Sequence, residues 1–193
     1  IIVLSDGLLG QMMDPAEFVK YPYPEIDNSD WALTGAKGRA PRKIRSLEIN
    51  EGKHNTNVQH LFDKYAQMER EEVLYEEHNV EDADVLLVAF GTMGRNIKAA
   101  MNEGRKQGLK IGTFRPITLF PFPNKRLSEL AEKTKKIIVA EMNMGQMIKD
   151  VKIAVNGKAE VVHLGRPAGE WIDVDETLDA VRKMIGEHHA TSI

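Results

Sequence analysis

Four apolar runs recur at nearly even spacing in the second half of the chain, and they constrain its fold more than any other feature. They are DVLLVAF near residue 85, KIGTF near 111, KIIVA near 137 and EVVHL near 161, at intervals of 26, 26 and 24 residues. Strand-like runs that alternate with helix-length segments are typical of β–α–β units, which build a parallel sheet buried on both faces. The pattern predicts an α/β domain with three layers, α/β/α, around a mostly parallel sheet of four or five strands. An antiparallel edge strand is compatible with it.

The segments between and after the runs carry apolar residues at helical spacing. Each segment has one apolar face, as expected for a helix that covers a sheet. The four faces consist of Ile97, Ala100, Met101 and Gly104; Leu127, Leu130 and Ala131; Met147, Ile148, Val151, Ala154 and Val155; and Leu178, Val181 and Ile185.

The first ten residues, IIVLSDGLLG, have a different character. Residues 1–4 read as a buried β-strand that ends at a turn, Asp6-Gly7. The chain has no initiator methionine, and a buried strand with nothing before it has few neighbours to pair with. We therefore interpret the chain as a piece of a longer protein and residues 1–10 as the end of an upstream domain.

Residues 11–82 lack a clean period and are predicted to form a connector. The stretches VKYPYPEIDNSDW and GAKGRAPRKIR read as extended chain, whereas Leu61, Tyr65, Met68 and Glu72 fall at helical spacing and predict a polar helix from about 57 to 72. A connector of this length without its own core usually wraps another surface. The α/β domain is predicted over residues 83–187, with a tail at 188–193.

Composition narrows the possible function classes. The net charge of -3 gives no support to nucleic-acid binding, and no run approaches the roughly 20 apolar residues of a membrane helix. The chain has no cysteine, which excludes disulfides, thiolate catalysis and iron–sulfur ligation by its own residues. Without a signal peptide, this composition fits a cytoplasmic protein. The six histidines show no zinc-ligand spacing, so no metal site is predicted.

Polar residues follow each of the four predicted parallel strands. Because ligands gather at the carboxyl ends of such strands, these residues form the candidate site. The candidates are Gly91, Thr92 and Gly94 after the first run, Arg115 after the second, Glu141 and Asn143 after the third, and Arg166 after the fourth.

Two interpretations stay open for this edge. In GTMGRN, residues 91–96, free N–H groups at a helix start could hold a phosphate or carboxylate, or the two glycines could simply permit a tight turn and close helix packing. The latter is favoured, because the stretch matches neither a dinucleotide fingerprint nor a P-loop. Arg115 and Arg166 each precede a proline and could bind an anion, or could pair with Glu141 within the structure.

Two further stretches have alternative interpretations. The loop PITLFPFP, residues 116–123, is either a docking surface that exposes Leu119, Phe120 and Phe122 or a loop folded onto its own core. The stretch EMNMGQM places three methionines around Gly145, and methionine adapts to irregular partner surfaces. General acid–base catalysis by Glu141 is a minor alternative, since no histidine or second carboxylate is near it in sequence.

Several stretches together resemble the α subunit of 2-oxoacid:ferredoxin oxidoreductases, most closely the 2-oxoisovalerate (branched-chain) enzymes. They are IIVLSDGLLG, DVLLVAFGTMGRNIKAA, GLKIGTFRPITLFPFP, IIVAEMNMGQMIKDVKIAVNGKAEV and LGRPAGE. The resemblance implies that residues 1–10 end a thiamine pyrimidine-binding domain and that residues 83–187 are similar to the C-terminal domain of transketolase.

The same resemblance implies an activity and its partners. Such enzymes oxidatively decarboxylate a 2-oxoacid with thiamine diphosphate and magnesium, pass the acyl group to coenzyme A, and send electrons through iron–sulfur clusters to ferredoxin. These cofactors would be held mainly by other domains and subunits of a homo- or hetero-oligomer, so this chain alone is expected to be inactive and to assemble and orient its neighbours. The competing hypotheses are a stand-alone phosphate-binding module and a purely structural interaction domain.

Overall fold

A computed structural model describes residues 2–13, 15, 17–20, 22–45, 47, 52–167 and 170–186 of the chain. Its contacts divide the chain into two units: Ile1–Gly10 with Tyr65–Ile193, and Gln11–Lys64. Ile1 and the predicted tail at 188–193 lie outside the described residues.

The first unit contains a sheet of five strands within its described residues. Strand order is β1-β3-β2-β4-β5; β2 to β5 run parallel, and β1 pairs antiparallel with β3. This confirms the predicted mostly parallel sheet and its antiparallel edge strand. The bounds are β1 Tyr75–His78, β2 Val85–Val88, β3 Ile111–Pro116, β4 Lys136–Glu141 and β5 Glu160–Gly165.

Helices cover both faces of this sheet. Alternate residues of β2 point to opposite faces, so Leu86 and Val88 join one core cluster while Val85 and Leu87 join the other. The first cluster is completed by α3 (Asn124–Lys133) and α4 (Met147–Val155), and the second by α2 (Gly91–Lys106) and α5 (Val174–Ile185). The three-layer prediction is therefore confirmed, and the predicted apolar faces of these helices face the sheet.

The helix predicted at about 57–72 is confirmed as α1, Lys53–Glu71. It has no buried residue, in agreement with its polar sequence. The range predicted as connector also contains β1, because the charged stretch Tyr75–His78 pairs with β3. Two carboxylates of β1 are neutralised there: Glu76 pairs with Arg115 at 3.0 Å, and Glu77 accepts both Nε (2.9 Å) and Nη2 (2.8 Å) of Arg126.

The strand expected at residues 1–4 is wrong for the described part, Ile2 to Leu4. These three residues form no strand in the structure, and their side chains are 85 to 89% exposed. A strand needs a hydrogen-bonding neighbour, and none of the described strands pairs with this segment. No helix in the described part of the chain has the length and apolar character needed to span a bilayer.

Candidate functional site

The carboxyl ends of β2 to β5 bring all seven predicted site residues to one edge of the sheet. Arg115 is the penultimate residue of β3, Glu141 is the last residue of β4, and Arg166 directly follows β5. Gly91, Thr92 and Gly94 form the first turn of α2, and Asn143 lies between β4 and α4. The prediction that these residues share an edge follows from parallel pairing and agrees with the structure.

Glu141 is the most buried charged residue of this edge. Its side chain is 0% exposed, and its carboxylate accepts hydrogen bonds from the backbone N–H groups of Met147 (2.8 Å), Ile148 (3.0 Å) and Gln146 (3.2 Å). These N–H groups belong to the start of α4, where a helix lacks internal acceptors and carries a partial positive charge. The carboxylate therefore caps α4 and ties it to the end of β4.

Asn143 caps the same loop from the other side. Its Oδ1 accepts hydrogen bonds from the N–H groups of Gly145 at 2.8 Å and Gln146 at 3.0 Å. A short polar side chain that bonds the backbone two or three residues ahead is a common way to fix a turn before a helix. The side-chain oxygen of Asn143 is thus used to shape the stretch EMNMGQM.

His163, which the sequence did not single out, lies beside Glu141. Its Nε2 is 3.7 Å from Oε1 of Glu141, and it is buried without a hydrogen-bond partner among the described residues. The imidazole lies against Gly165: a Cβ added at Gly165 would be 2.1 Å from Cε1 and 2.3 Å from Nε2 of His163. Alternation along β5 puts residues 163 and 165 on one face, but only the tertiary structure brings Glu141 to them.

Arg115 and Gly94 form a second contact at this edge. A Cβ at Gly94 would be 2.8 Å from Cδ and 3.0 Å from Nε of Arg115, so the arginine stem occupies the space left by the glycine. The guanidinium reaches Glu76 through Nη1, while its Nε is buried without a hydrogen-bond partner among the described residues. Gly94 therefore serves the close packing of α2 against β3, the interpretation favoured from the sequence.

The start of α2 holds a carboxylate from this chain. Gly91 has a φ of +57°, a conformation that glycine adopts readily, and Phe90 provides no side-chain cap. The hydroxyl of Thr92 donates a hydrogen bond to Asp6, whose other oxygen accepts the N–H of Leu9 at 2.7 Å. The hydrogen bond from Thr92, followed by that from Leu9, lowers the pKa of Asp6 below its ordinary value.

Arg166 joins β5 to α5. Its Nη2 pairs with Glu176 at 2.6 Å, and its backbone N–H donates to the carbonyl of Glu141 at 3.3 Å. The carboxylates that pair with Arg115 and Arg166 are thus Glu76 and Glu176, and the predicted alternative of an ion pair with Glu141 is wrong. Both pairs are partly exposed, a setting in which an ion pair contributes little to stability.

A buried polar contact that the sequence analysis missed supports the same side of the sheet. The amide Nδ2 of Asn96 on α2 donates to the carbonyl of Ile172 at 2.7 Å, and its Oδ1 accepts the hydroxyl of Thr177 on α5 at 3.2 Å. Asn96 and Thr177 are 4% and 0% exposed. A buried amide with both ends satisfied fixes the relative position of two elements, here α2 and α5.

The proline-rich loop after β3 combines both structures proposed for it. Phe122 packs against the core, whereas Phe120 is 61% exposed and meets Tyr65 edge-to-face at 5.7 Å between ring centroids. Ile117 and Leu119 are about half exposed. Next to the loop lies an open cleft of about 430 Å³ that is lined by residues of α1, β1 and α3 and includes Tyr75, Phe122 and Arg126.

Comparison with known proteins decides the family. The family profile named pyruvate:ferredoxin oxidoreductase core domain II matches residues 83–177. The ketoisovalerate oxidoreductase subunit VorB of Methanothermobacter marburgensis is 37% identical over 187 residues, which cover 97% of this chain and 53% of that protein. The chain belongs to the 2-oxoacid:ferredoxin oxidoreductase family. It spans about half the length of the curated relatives that it matches.

Other members of the oxidoreductase family match less closely. The 2-oxoglutarate synthase subunit KorA of the same organism is 32% identical over 211 residues, covering 95% of this chain and 56% of that protein. The solved structure of 2-oxoglutarate:ferredoxin oxidoreductase from Magnetococcus marinus, with 2-oxoglutarate, coenzyme A and succinyl-CoA bound, has the same fold. It aligns with a TM-score of 0.63 and 20% identity over 84% of this chain and 28% of that one.

Among the described residues, no group of three or more histidine or acidic side chains could hold a metal ion. Within the oxidoreductase family, the edge of this chain is thus distinguished by what its polar groups already contact. Glu141 and Asn143 bind the start of α4, Arg115 and Arg166 pair with carboxylates, and Thr92 holds Asp6. Each of these groups contributes to the internal structure of the α/β unit.

Proposed function

We propose that the chain is part of the α subunit of a 2-oxoacid:ferredoxin oxidoreductase that acts on 2-oxoisovalerate or a related branched-chain 2-oxoacid. The observation that carries this proposal is the 37% identity to a ketoisovalerate oxidoreductase subunit along 97% of the chain. Identity to a 2-oxoglutarate synthase subunit is lower, at 32%. The reaction would be oxidative decarboxylation to an acyl-CoA with reduction of ferredoxin in the cytoplasm.

Within that enzyme, this chain would assemble and orient the neighbouring subunits and domains. Glu141 and Asn143 are engaged in capping α4, and this use of the edge supports a structural role. Thiamine diphosphate with its magnesium would be held mainly by other parts of the enzyme. The iron–sulfur clusters would be ligated by other polypeptides, since this chain has no cysteine.

The activity is tested on the complex purified without oxygen through an affinity tag on this subunit. We expect reduction of ferredoxin that depends on both coenzyme A and a 2-oxoacid, with kcat/KM for 2-oxoisovalerate at least about tenfold above those for 2-oxoglutarate and pyruvate. A preference for 2-oxoglutarate would contradict the branched-chain assignment. A purified complex without any 2-oxoacid-dependent reduction would contradict the proposed function as a whole.

A second candidate function is coenzyme A binding at the edge formed by Gly91, Thr92, Gly94, Arg115, Glu141, Asn143 and Arg166. The start of α2 has no side-chain cap, and Arg115 has a buried Nε without a partner among the described residues, so a phosphate group would find N–H donors there. However, Asp6 already accepts the Thr92 hydroxyl and Glu76 already pairs with Arg115. A phosphate would have to displace both carboxylates, which favours the structural role.

Coenzyme A binding at this edge can be tested with the variant Arg115→Ala in the purified complex. Under the structural role, we expect the KM for coenzyme A to stay within about twofold of the unmodified enzyme. Arg182→Ala is the matched control, because Arg182 pairs with Asp179 on α5. A rise of about tenfold or more in the KM for coenzyme A, with the KM for the 2-oxoacid unchanged, would instead assign the acyl acceptor to this edge.

A further inference from the structure

The segment from Gln11 to Leu47 exposes an unusual amount of apolar surface. None of its described residues is buried, and Met13 and Phe18 are almost fully exposed. Water-exposed apolar groups of this number are typical of a surface that meets a partner. The large apolar side chains with more than two fifths of their surface exposed are Met12, Met13, Phe18, Val19, Tyr23, Ile26, Trp31, Leu33, Ile44 and Leu47.

Part of this segment is nevertheless held in a defined shape by local hydrogen bonds. The carbonyl of Asn28 accepts the N–H groups of Trp31 at 3.2 Å and Ala32 at 2.9 Å. Nη1 of Arg42 donates to the carbonyl of Ala32 at 2.8 Å, and Arg39 donates to the carbonyls of Ala40 and Gly35. Two guanidinium groups thus close the loop on its own backbone, so less ordering is required when a partner binds.

The same loop is strongly basic. We define the basic turn as residues 31–47; it contains five lysines and arginines and no acidic residue. Because the whole chain has a net charge of -3, the rest of the chain carries -8. Lys37, Lys43 and Arg45 are exposed and make no hydrogen bond or ion pair with another described residue. Their charge is therefore available to an acidic surface.

We infer that residues 11–47 dock onto another subunit of the oxidoreductase, in a groove that has apolar pockets and an acidic stretch opposite the basic turn. This inference rests on the proposed function, because it requires a complex with more than one kind of subunit. The ten exposed apolar side chains would fill those pockets, and one side of a standard interface needs about 800 Å². Lys37, Lys43 and Arg45 would fix the register by charge complementarity.

The apolar content favours a protein groove over nucleic acid. Leu33, Ile44 and Leu47 lie among the cations of the basic turn and gain little against a phosphate backbone. The acidic remainder of the chain, at -8, would also repel a nucleic acid.

The first test uses photo-crosslinking in the purified complex. Phe18 or Trp31 is replaced with a photoreactive phenylalanine analogue, and Ile153 of α4, which is 71% exposed, is replaced in the same way as the control. We expect crosslinks from positions 18 and 31 to acidic peptides of another subunit, and none to those peptides from position 153. Crosslinks only to nucleic acid or to a copy of this chain, or no crosslinks at all, would overturn the inference.

The second test reverses the free charges of the basic turn. The variant Lys37→Glu/Lys43→Glu/Arg45→Glu leaves Arg39 and Arg42, which close the loop, in place. We expect the Kd of this subunit for its partner to rise about tenfold or more and to become less dependent on salt. The control is Lys125→Glu/Lys149→Glu/Lys152→Glu, which makes the same charge change on exposed positions of α3 and α4.

The two tests separate this inference from the proposed function. If the complex forms and oxidises a 2-oxoacid, but the charge-reversed variant assembles as tightly as its control, only the docking of residues 11–47 is wrong. If no complex forms and no 2-oxoacid is oxidised, the proposed function is contradicted, and this inference fails with it.

Discussion

Replacing Glu141 with glutamine is expected to lower the free energy of unfolding by about 2–4 kcal/mol. The carboxylate is fully buried and accepts three backbone N–H groups at the start of α4. Glutamine keeps one acceptor oxygen, but it places an NH₂ donor against N–H donors and removes the charge that the helix start favours. The measurement is urea unfolding of the chain, followed by circular dichroism.

Glu160→Gln is the matched control for this change. Glu160 begins β5, the edge strand next to β4, and its side chain is exposed. We expect its free energy of unfolding to stay within about 0.5 kcal/mol of the unmodified chain. If both variants unfold alike, Glu141 does not hold α4, and its carboxylate is free for another role, including the acid–base role considered from the sequence.

The sheet could be predicted from the sequence because each of its four parallel strands is an apolar run buried on both faces. Val85 to Val88 are all buried, so every position of β2 shows the same apolar signal. The clustering of Arg115, Glu141 and Arg166 was equally accessible, because parallel strands end at one edge. Both predictions required only local patterns and one topological rule.

β1 could not be found by the same means. Its sequence, YEEH, contains two adjacent glutamates, which disfavour strands in general. The structure accommodates them at the sheet edge, where Glu76 meets Arg115 of β3 and Glu77 meets Arg126 of α3. These arginines are 39 and 49 residues away in the sequence, so the pairing that permits the strand is a tertiary property.

The roles of the edge residues were also decided by tertiary contacts. The sequence presented Glu141 as a carboxylate at a strand end, which is compatible with catalysis, anion pairing or capping. Capping follows only when the start of α4 is placed so that the N–H groups of Met147 and Ile148 point at it. Asn96 and His163 gave no signal at all, because their significance depends on Ile172, Thr177, Glu141 and Gly165 lying next to them.

The consequence for function is a change in emphasis. A strand-end edge rich in arginine and glycine usually suggests a ligand site, but here Gly94 makes room for the stem of Arg115 and Thr92 binds Asp6. The parts of the chain that expose unsatisfied charge and apolar surface are the basic turn and the remainder of residues 11–47. Partner binding is therefore expected there, and the edge is expected to keep the α/β unit rigid.

Replacing Gly165 with alanine is expected to destabilise this edge by about 2–3 kcal/mol. The new Cβ would lie 2.1 Å from Cε1 of His163 and 2.6 Å from the carbonyl oxygen of Asn143. Neither distance is tolerated, so the imidazole must move away from Glu141 and the loop before α4 must shift. The control is Gly10→Ala, where an added Cβ meets nothing within 4 Å, and urea unfolding measures both variants.

The double variant His163→Ala/Gly165→Ala tests the cause of that loss. Removing the imidazole relieves the two shortest contacts, at 2.1 and 2.3 Å, and leaves only the contact with Asn143. The double variant should then be more stable than the sum of the single effects by more than about 1 kcal/mol, because the two residues are in direct contact. Strict additivity would show that the strain lies in the backbone at Asn143, and that His163 does not depend on the missing side chain at position 165.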